Sequence, residues 1–286
     1  MHKVALIYSK ERSDTSGIYF ERAMAKLGIP YDHYCSTQMH SIPTGYDLYF
    51  RLEDGRLERM LPTHLSPSVY WITDVHLAGP YHHLKRQVGN YDLIISGLPL
   101  GVEKLKHFAK RIHFISFGCD PEIHQKYFLP KSYDLGFVGT DGGIPRKFIL
   151  QELRERYPNS YIGKAPHTQM SKIYSQSKIG LSYPIRLEGV TMRFFEIAAC
   201  GALICAPQLK APWLEDMGFY HKKNIIVFND LTHLIELIDY YLKHATARET
   251  IAQAGHEHVL AHHTYAHKMK EAFALIEKEL GISNLI

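Results

Sequence analysis

The sequence is short of the features that mark disulfide-stapled or membrane-spanning proteins. Its 286 residues include four cysteines, Cys35, Cys119, Cys200 and Cys205, with no Cys-x-x-Cys pair. They read as small reduced core residues, which points to a reducing compartment. The opening stretch Met1–Tyr8 enters a strand pattern at once and is too short for a signal peptide or a membrane span. A cytoplasmic protein is therefore expected. Excess charge of one sign is scarce as well. The net charge is +4 with 19 histidines counted neutral, which suits an anionic ligand without demanding nucleic acid. Short-period repeats and low-complexity segments are absent.

What is present is an ordinary globular balance, with 45% hydrophobic and 22% charged residues. The length suits two domains of roughly 130 residues each. Short apolar runs alternate with amphipathic segments of helix length. Candidate strands in the first half are Val4–Tyr8, Leu48–Phe50, Ser68–Ile72, Leu93–Ser96 and His113–Ser116. Helical patterns at Ile18–Leu27 and Val102–Lys110 lie between them. The theme restarts at Leu135–Val138, followed by helix near Arg146–Tyr157, strands at Ile179–Leu181, Leu203–Ala206 and Ile225–Phe228, and three closing helical patterns. Such alternation predicts an α/β fold with parallel sheets built from βαβ units. Glycine and prolines between Phe117 and Tyr133 mark the join.

The most informative stretch runs from Glu188 to Pro207. Gly189 permits a tight turn, Met192 to Cys200 forms a helix, Gly201 ends it, and Ala202–Ala206 is a buried strand. A helix N-terminus near Thr191 and Met192 presents unpaired N–H groups and partial positive charge, which suits a diphosphate. Arg193 in the first turn adds a cation with bidentate geometry. The Glu196 carboxylate can accept two hydroxyl hydrogen bonds from a ribose, and Glu188 can do the same for a sugar ring.

The Glu188-Gly189 start and the Glu196-x-x-Ala199-x-Gly201 end, with seven residues between the two glutamates, resemble family 4-like GT-B glycosyltransferases. The Arg193-Phe194-Phe195-Glu196 core with Ala199-Cys200-Gly201-Ala202 is similar to their spore-maturation-type branch. The Tyr70–Asp74 strand, Phe117–His124, Phe137-Val138-Gly139-Thr140 and His263-Thr264-Tyr265 resemble further family elements. The resemblance implies two facing Rossmann-like domains: an acceptor-side domain over 1–128, a nucleotide-sugar domain over 129–264, and a helix over 265–286 crossing back to the first. It also implies that the second glutamate binds the ribose and the first contacts the donor sugar. A UDP- or GDP-sugar donor and a glycan, protein or lipid acceptor follow, usually with retention of anomeric configuration.

Relatives carry a separated Arg and Lys for the diphosphate, whereas here Arg146 and Lys147 are adjacent after Gly139 and Thr140. The N-terminal glycine-rich loop is reduced to Ser13-Asp14-Thr15-Ser16-Gly17. No Asp-x-Asp occurs, so the metal-held diphosphate of GT-A enzymes is not indicated, and neither a metal nor a cofactor is expected. Asp74 and His76 follow a buried strand, where Asp74 is either a helix cap or an acceptor-side base. His82-His83 and His262-His263 lack the i,i+4 spacing of helical metal sites. Three rival functions share the pattern: a sugar-nucleotide isomerase or hydrolase, a nucleic-acid base glucosyltransferase, and a non-catalytic sugar-nucleotide-binding module. The small net charge weighs against nucleic acid, and the oligomeric state is left open.

Overall fold

The computed structural model describes residues 3–11, 15–55, 58–185, 187 and 189–282. The chain divides into two compact units, one formed by Met1–Ser116 with Tyr265–Ile286 and the other by Phe117–Thr264.

In the first unit the elements are β1 (Val4–Ile7), α1 (Gly17–Lys26), β2 (Tyr31–Tyr34), β3 (Leu48–Leu52), β4 (Ser68–Ile72), α2 (Ala78–Gln87), β5 (Leu93–Ser96), α3 (Pro99–Leu105) and β6 (Ile112–Phe114). All six strands pair in parallel, in the order β2-β1-β3-β4-β5-β6. Strands β1, β3, β4 and β5 are buried along their whole length. That is why they read as continuous apolar runs rather than alternating ones. The edge strand β2, Tyr-Asp-His-Tyr, is only half-buried and carries no apolar run.

The second unit holds β7 (Tyr133–Val138), α4 (Arg146–Arg156), β8 (Tyr161–Gly163), α5 (His167–Gln176), β9 (Ser177–Leu181), α6 (Met192–Ala199), β10 (Leu203–Pro207), α7 (Trp213–Asp216), β11 (Ile226–Phe228), α8 (Leu231–Lys243) and α9 (Ala245–His262). Its five parallel strands run β11-β10-β9-β7-β8. Leu135, Phe137, Ile179, Leu203 and Ile226 of the sheet pack with Leu150, Leu153, Leu234 and Ile251 of the helices into one core. The segment before β7 also belongs here. Ser171 Oγ donates to Ile123 O at 2.7 Å, Tyr127 N to Ser175 Oγ at 3.0 Å, and Cys119 N to His263 O at 2.9 Å.

The last helix, α10 (Tyr265–Leu280), returns to the first unit. Its Tyr265 ring lies 5.1 Å from Tyr19 and 4.9 Å from Phe20 of α1, and Phe273 lies 6.2 Å from Phe50 of β3. All four cysteines are free, and three are buried. No helix among the described residues is long and apolar enough to cross a membrane.

Both sheets reverse their direction of growth, the first between β1 and β3 and the second between β7 and β9. In open α/β sheets ligands bind outside the carboxyl ends of the strands at such a point. One buried acid shapes that edge of the first unit. Glu53, just past β3, is 5% exposed. Its Oε2 accepts from Thr73 N, from Thr73 Oγ1 at 3.2 Å and from Asp74 N at 3.1 Å, so it clamps the turn that follows β4. Next to it, Asp54 accepts from Ser9 N at 2.6 Å, which ties the loops after β1 and β3 together. Burial first, and then the charge of Asp74, raises the Glu53 pKa from 4.5 toward neutrality. Because the folded pKa is raised, the folded state binds the extra proton, and stability falls as pH rises from the ordinary carboxylate range toward neutral. Glu53→Gln should lack that dependence. Melting curves from pH 4.5 to 7.5 should show wild type losing melting temperature relative to the variant, and parallel curves would contradict the assignment.

Candidate functional site

Helix α6 brings the second unit's polar groups to the point where its sheet reverses. Phe194 and Phe195 are fully buried on its inner face, each worth about 1.5–3 kcal/mol on burial. Gly180 of β9 lets Ile197 approach closely, since a Cβ there would fall 2.3 Å from Ile197 Cγ2. Close packing therefore fixes where the helix begins. Its N-cap, Thr191, is extended and makes no side-chain cap hydrogen bond, and no acid occupies the first turn. Phe194 N is met by Thr191 O at 3.1 Å, and no side chain of Thr191 or of the first turn offsets the positive end of the α6 dipole.

Arg193 reaches from α6 across the reversal point to the end of β7. Its Nε donates to Val138 O at 2.8 Å, and its Nη1 donates to Glu196 Oε2 at 2.7 Å. The Arg193 side chain is 36% exposed, whereas Glu196 is 1% exposed beneath it. The glutamate expected to meet a ribose is therefore paired, through one oxygen, with the arginine expected to meet a diphosphate. On its other side, Glu196 Oε1 lies 3.7 Å from Nε2 of the fully buried His124. His124 was not singled out in the sequence. It sits in the irregular segment before β7, and no local spacing links it to an acid 72 positions later.

The loop after β7 is held by Arg146. Its Nη2 donates to Thr140 O at 2.7 Å and to Thr140 Oγ1 at 3.0 Å, Nε to Asp141 O at 3.1 Å, and Nη1 to Tyr183 O at 3.3 Å. Gly142 adopts φ +62°, and any Cβ there would fall 2.4 Å from the guanidinium. Burial lowers the Arg146 pKa, with Asp141 opposing and Arg193 adding to the effect. Arg146 is 8% exposed, so it serves as a latch for Gly139–Gly143, and Lys147 is the exposed member of the pair. The latch and Arg193 share β7: Gly139 N donates to Gly163 O at 2.9 Å, continuing the sheet just past Val138.

Beside the N-terminus of α6 lies a shallow pocket lined by Ser182, Pro184, Gly189, Thr191, Pro207 and Leu214, among others. Gly189 and Thr191 were expected at a site. Pro184 and Leu214 were missed, because only strand order brings the loop after β9 beside α7. Met192 opens α6. Glu188 lies outside the described residues, as do Ser13 and Asp14.

In the first unit Asp74 and His76 follow β4, both half-buried. The N-cap of α2 is Leu77, with no side-chain cap hydrogen bond, so Asp74 does not serve as its N-cap. Asp74 O instead accepts from Leu77 N at 3.0 Å. Among the described residues no three His, Cys, Asp or Glu side chains are grouped to hold a metal.

Comparison with known proteins gives this geometry its context. The family model described as glycosyl transferase-like matches residues 131–274, half of the chain. No curated protein matches. Among solved structures, sucrose-phosphate synthase from Thermosynechococcus elongatus superposes with a TM-score of 0.66 at 13% identity, covering 99% of this chain and 100% of that one. HepE from Anabaena, in complex with UDP-glucose, gives 0.66 at 10% identity over 97% and 100%. A DNA-modifying β-glucosyltransferase, solved with and without uridine diphosphoglucose, gives 0.63 at 15% over 98% and 99%. Two parallel Rossmann-like sheets, a last helix returning to the first unit and these matches agree: the chain is a GT-B glycosyltransferase belonging to the glycosyl transferase-like family.

Proposed function

We propose that the chain transfers a sugar from a nucleoside-diphosphate sugar to a hydroxyl of a glycan, protein or lipid acceptor, with retention of anomeric configuration. The observation that carries this reading is the uncapped start of α6, with Arg193 beside it, at the point where the second unit's sheet reverses. The spore-maturation-type branch is the finer family assignment, resting on Arg193–Ala202. HepE and the β-glucosyltransferase were solved with UDP-glucose, which makes that sugar nucleotide the first donor to test.

In this reading the diphosphate docks on the N–H groups near Thr191 and Met192, with Gly189, Gly139 and Thr140 shaping the loops around it. Arg193 turns from Glu196 toward the phosphates, and Lys147 is the second cation, with Arg146 holding the loop. The movement frees Glu196 for the ribose hydroxyls. As the anomeric C–O bond breaks, negative charge grows on the leaving diphosphate, where preorganised donors lower the barrier. The acceptor oxygen bonds to the anomeric carbon on the same face, and its proton passes to the leaving phosphate. Glu188 is assigned to the donor sugar, and Asp74 and His76 to orienting the acceptor hydroxyl. No cofactor takes part.

Charge neutralisation by helix and arginine needs no metal, so transfer should survive excess EDTA. Loss of activity restored by magnesium or manganese would contradict this. The Arg193–Glu196 pair gives a second test with opposite signs. Arg193→Ala should weaken UDP by about tenfold, a loss of about 1.4 kcal/mol, while uridine binds as well as to wild type or better. Glu196→Ala should weaken both. Calorimetric titration separates them, and equal weakening of uridine and UDP by Arg193→Ala would count against the exchange.

A further inference from the structure

Glu196 is a carboxylate with almost no access to water, and such a group persists only if each oxygen is met by a donor or cation. Arg193 meets Oε2. In the proposed function Arg193 leaves for the phosphates, so something else must hold the carboxylate in place while ribose binds. The group positioned to do so is His124. Its ring is fully buried. Asp120 N donates to His124 Nδ1 at 2.9 Å, so Nδ1 is an acceptor and the proton of the neutral ring resides on Nε2. That nitrogen faces Glu196 Oε1 at 3.7 Å, just beyond hydrogen-bond length, so a small shift of the carboxylate as Arg193 departs would bring the two into contact.

The anchoring of His124 is itself specific. Ile123 N and His124 N donate back to Asp120 O at 3.1 and 2.7 Å, and Glu122 N donates to Asp120 Oδ1 at 3.0 Å. Residues 120–124 thus form a single closed turn. Ser171 Oγ of α5 donates to Ile123 O, which fastens that turn to the same unit as α6.

We propose that His124 is the positioning residue for the nucleotide's ribose site: its Nε2–H holds the inner oxygen of Glu196, so that the outer oxygen faces the ribose once Arg193 has turned to the diphosphate. The proposal rests on the donor reading given above. It requires no proton transfer. Its consequence is selective: loss of the imidazole should impair ligands that carry a ribose and spare those that carry only phosphate.

The test is calorimetry on wild type, His124→Leu, His124→Gln and Glu196→Ala with UDP, uridine and inorganic pyrophosphate, with GDP and guanosine in parallel. His124→Leu should weaken nucleotide and nucleoside by about tenfold each and change pyrophosphate by less than about twofold. His124→Gln, whose amide N–H can stand near the position of Nε2, should recover most of the loss. Equal weakening of all three ligand classes by His124→Leu would show a merely structural residue and overturn the proposal, as would wild-type affinity for uridine or guanosine. If the leucine variant fails to fold, the glutamine variant decides: it must bind nucleoside more tightly than Glu196→Ala does, and affinity equal to that of Glu196→Ala overturns the proposal. Wild-type nucleoside affinity in Glu196→Ala, or no nucleotide binding by the wild type, would instead overturn the donor reading and this proposal with it.

Discussion

A single buried charge governs the arrangement of the second unit's site. Removing a carboxylate from water costs several kcal/mol after relaxation, and only well-placed partners repay it. Glu196 has one in Arg193 at 2.7 Å, and His124 Nε2 lies nearby at 3.7 Å, longer than a hydrogen bond. Each partner is fixed by a different part of the chain, Arg193 through Val138 O at the end of β7 and His124 through the 120–124 turn. Three separate segments are thereby locked together, and the N-terminus of α6 is held among them. In the proposed function a bound diphosphate rewrites this arrangement, because it offers Arg193 more negative charge than one carboxylate does.

The first unit shows the same strategy with a different partner set. Glu53 is buried near Asp74, and it receives backbone and hydroxyl donors rather than a cation. Its raised pKa follows from that choice: hydrogen bonds favour the ionised form, but burial and a neighbouring carboxylate oppose it more strongly. In each unit a buried acid is tied to a turn or strand end at the carboxyl edge of a parallel sheet, Glu53 directly and Glu196 through Arg193. Loops in such positions would otherwise be the mobile parts of the fold.

Much of this was legible in the sequence wherever burial was complete. Ser68–Ile72 and Leu93–Ser96 are continuous apolar runs and are strands at those limits, and Met192, Gly201 and Leu203 bracket α6 and β10 as expected. The edge strands Tyr31–Tyr34 and Tyr161–Gly163 were harder to see, because half-buried positions accept polar residues and erase the signal. The helix expected over Val102–Lys110 lies instead at Pro99–Leu105, where proline at its start presets the first turn. Side-chain pairing was illegible in kind. Nothing local distinguishes Arg146, which spends its donors on four oxygens of the protein, from Lys147 beside it, and nothing local connects His124 to Glu196. Of these, the Arg146 contact to Tyr183 O and the approach of His124 to Glu196 exist only once distant segments of the second unit are brought together.

The proposed function requires Arg193 to exchange one anion for another, and a crystal structure of the protein with bound UDP tests this most directly. The diphosphate should lie at the start of α6, with Arg193 turned to it, the 2.7 Å contact to Glu196 Oε2 broken, and a ribose hydroxyl on the glutamate. A diphosphate bound elsewhere, or one bound at α6 with the Arg193–Glu196 pair intact, would contradict the account.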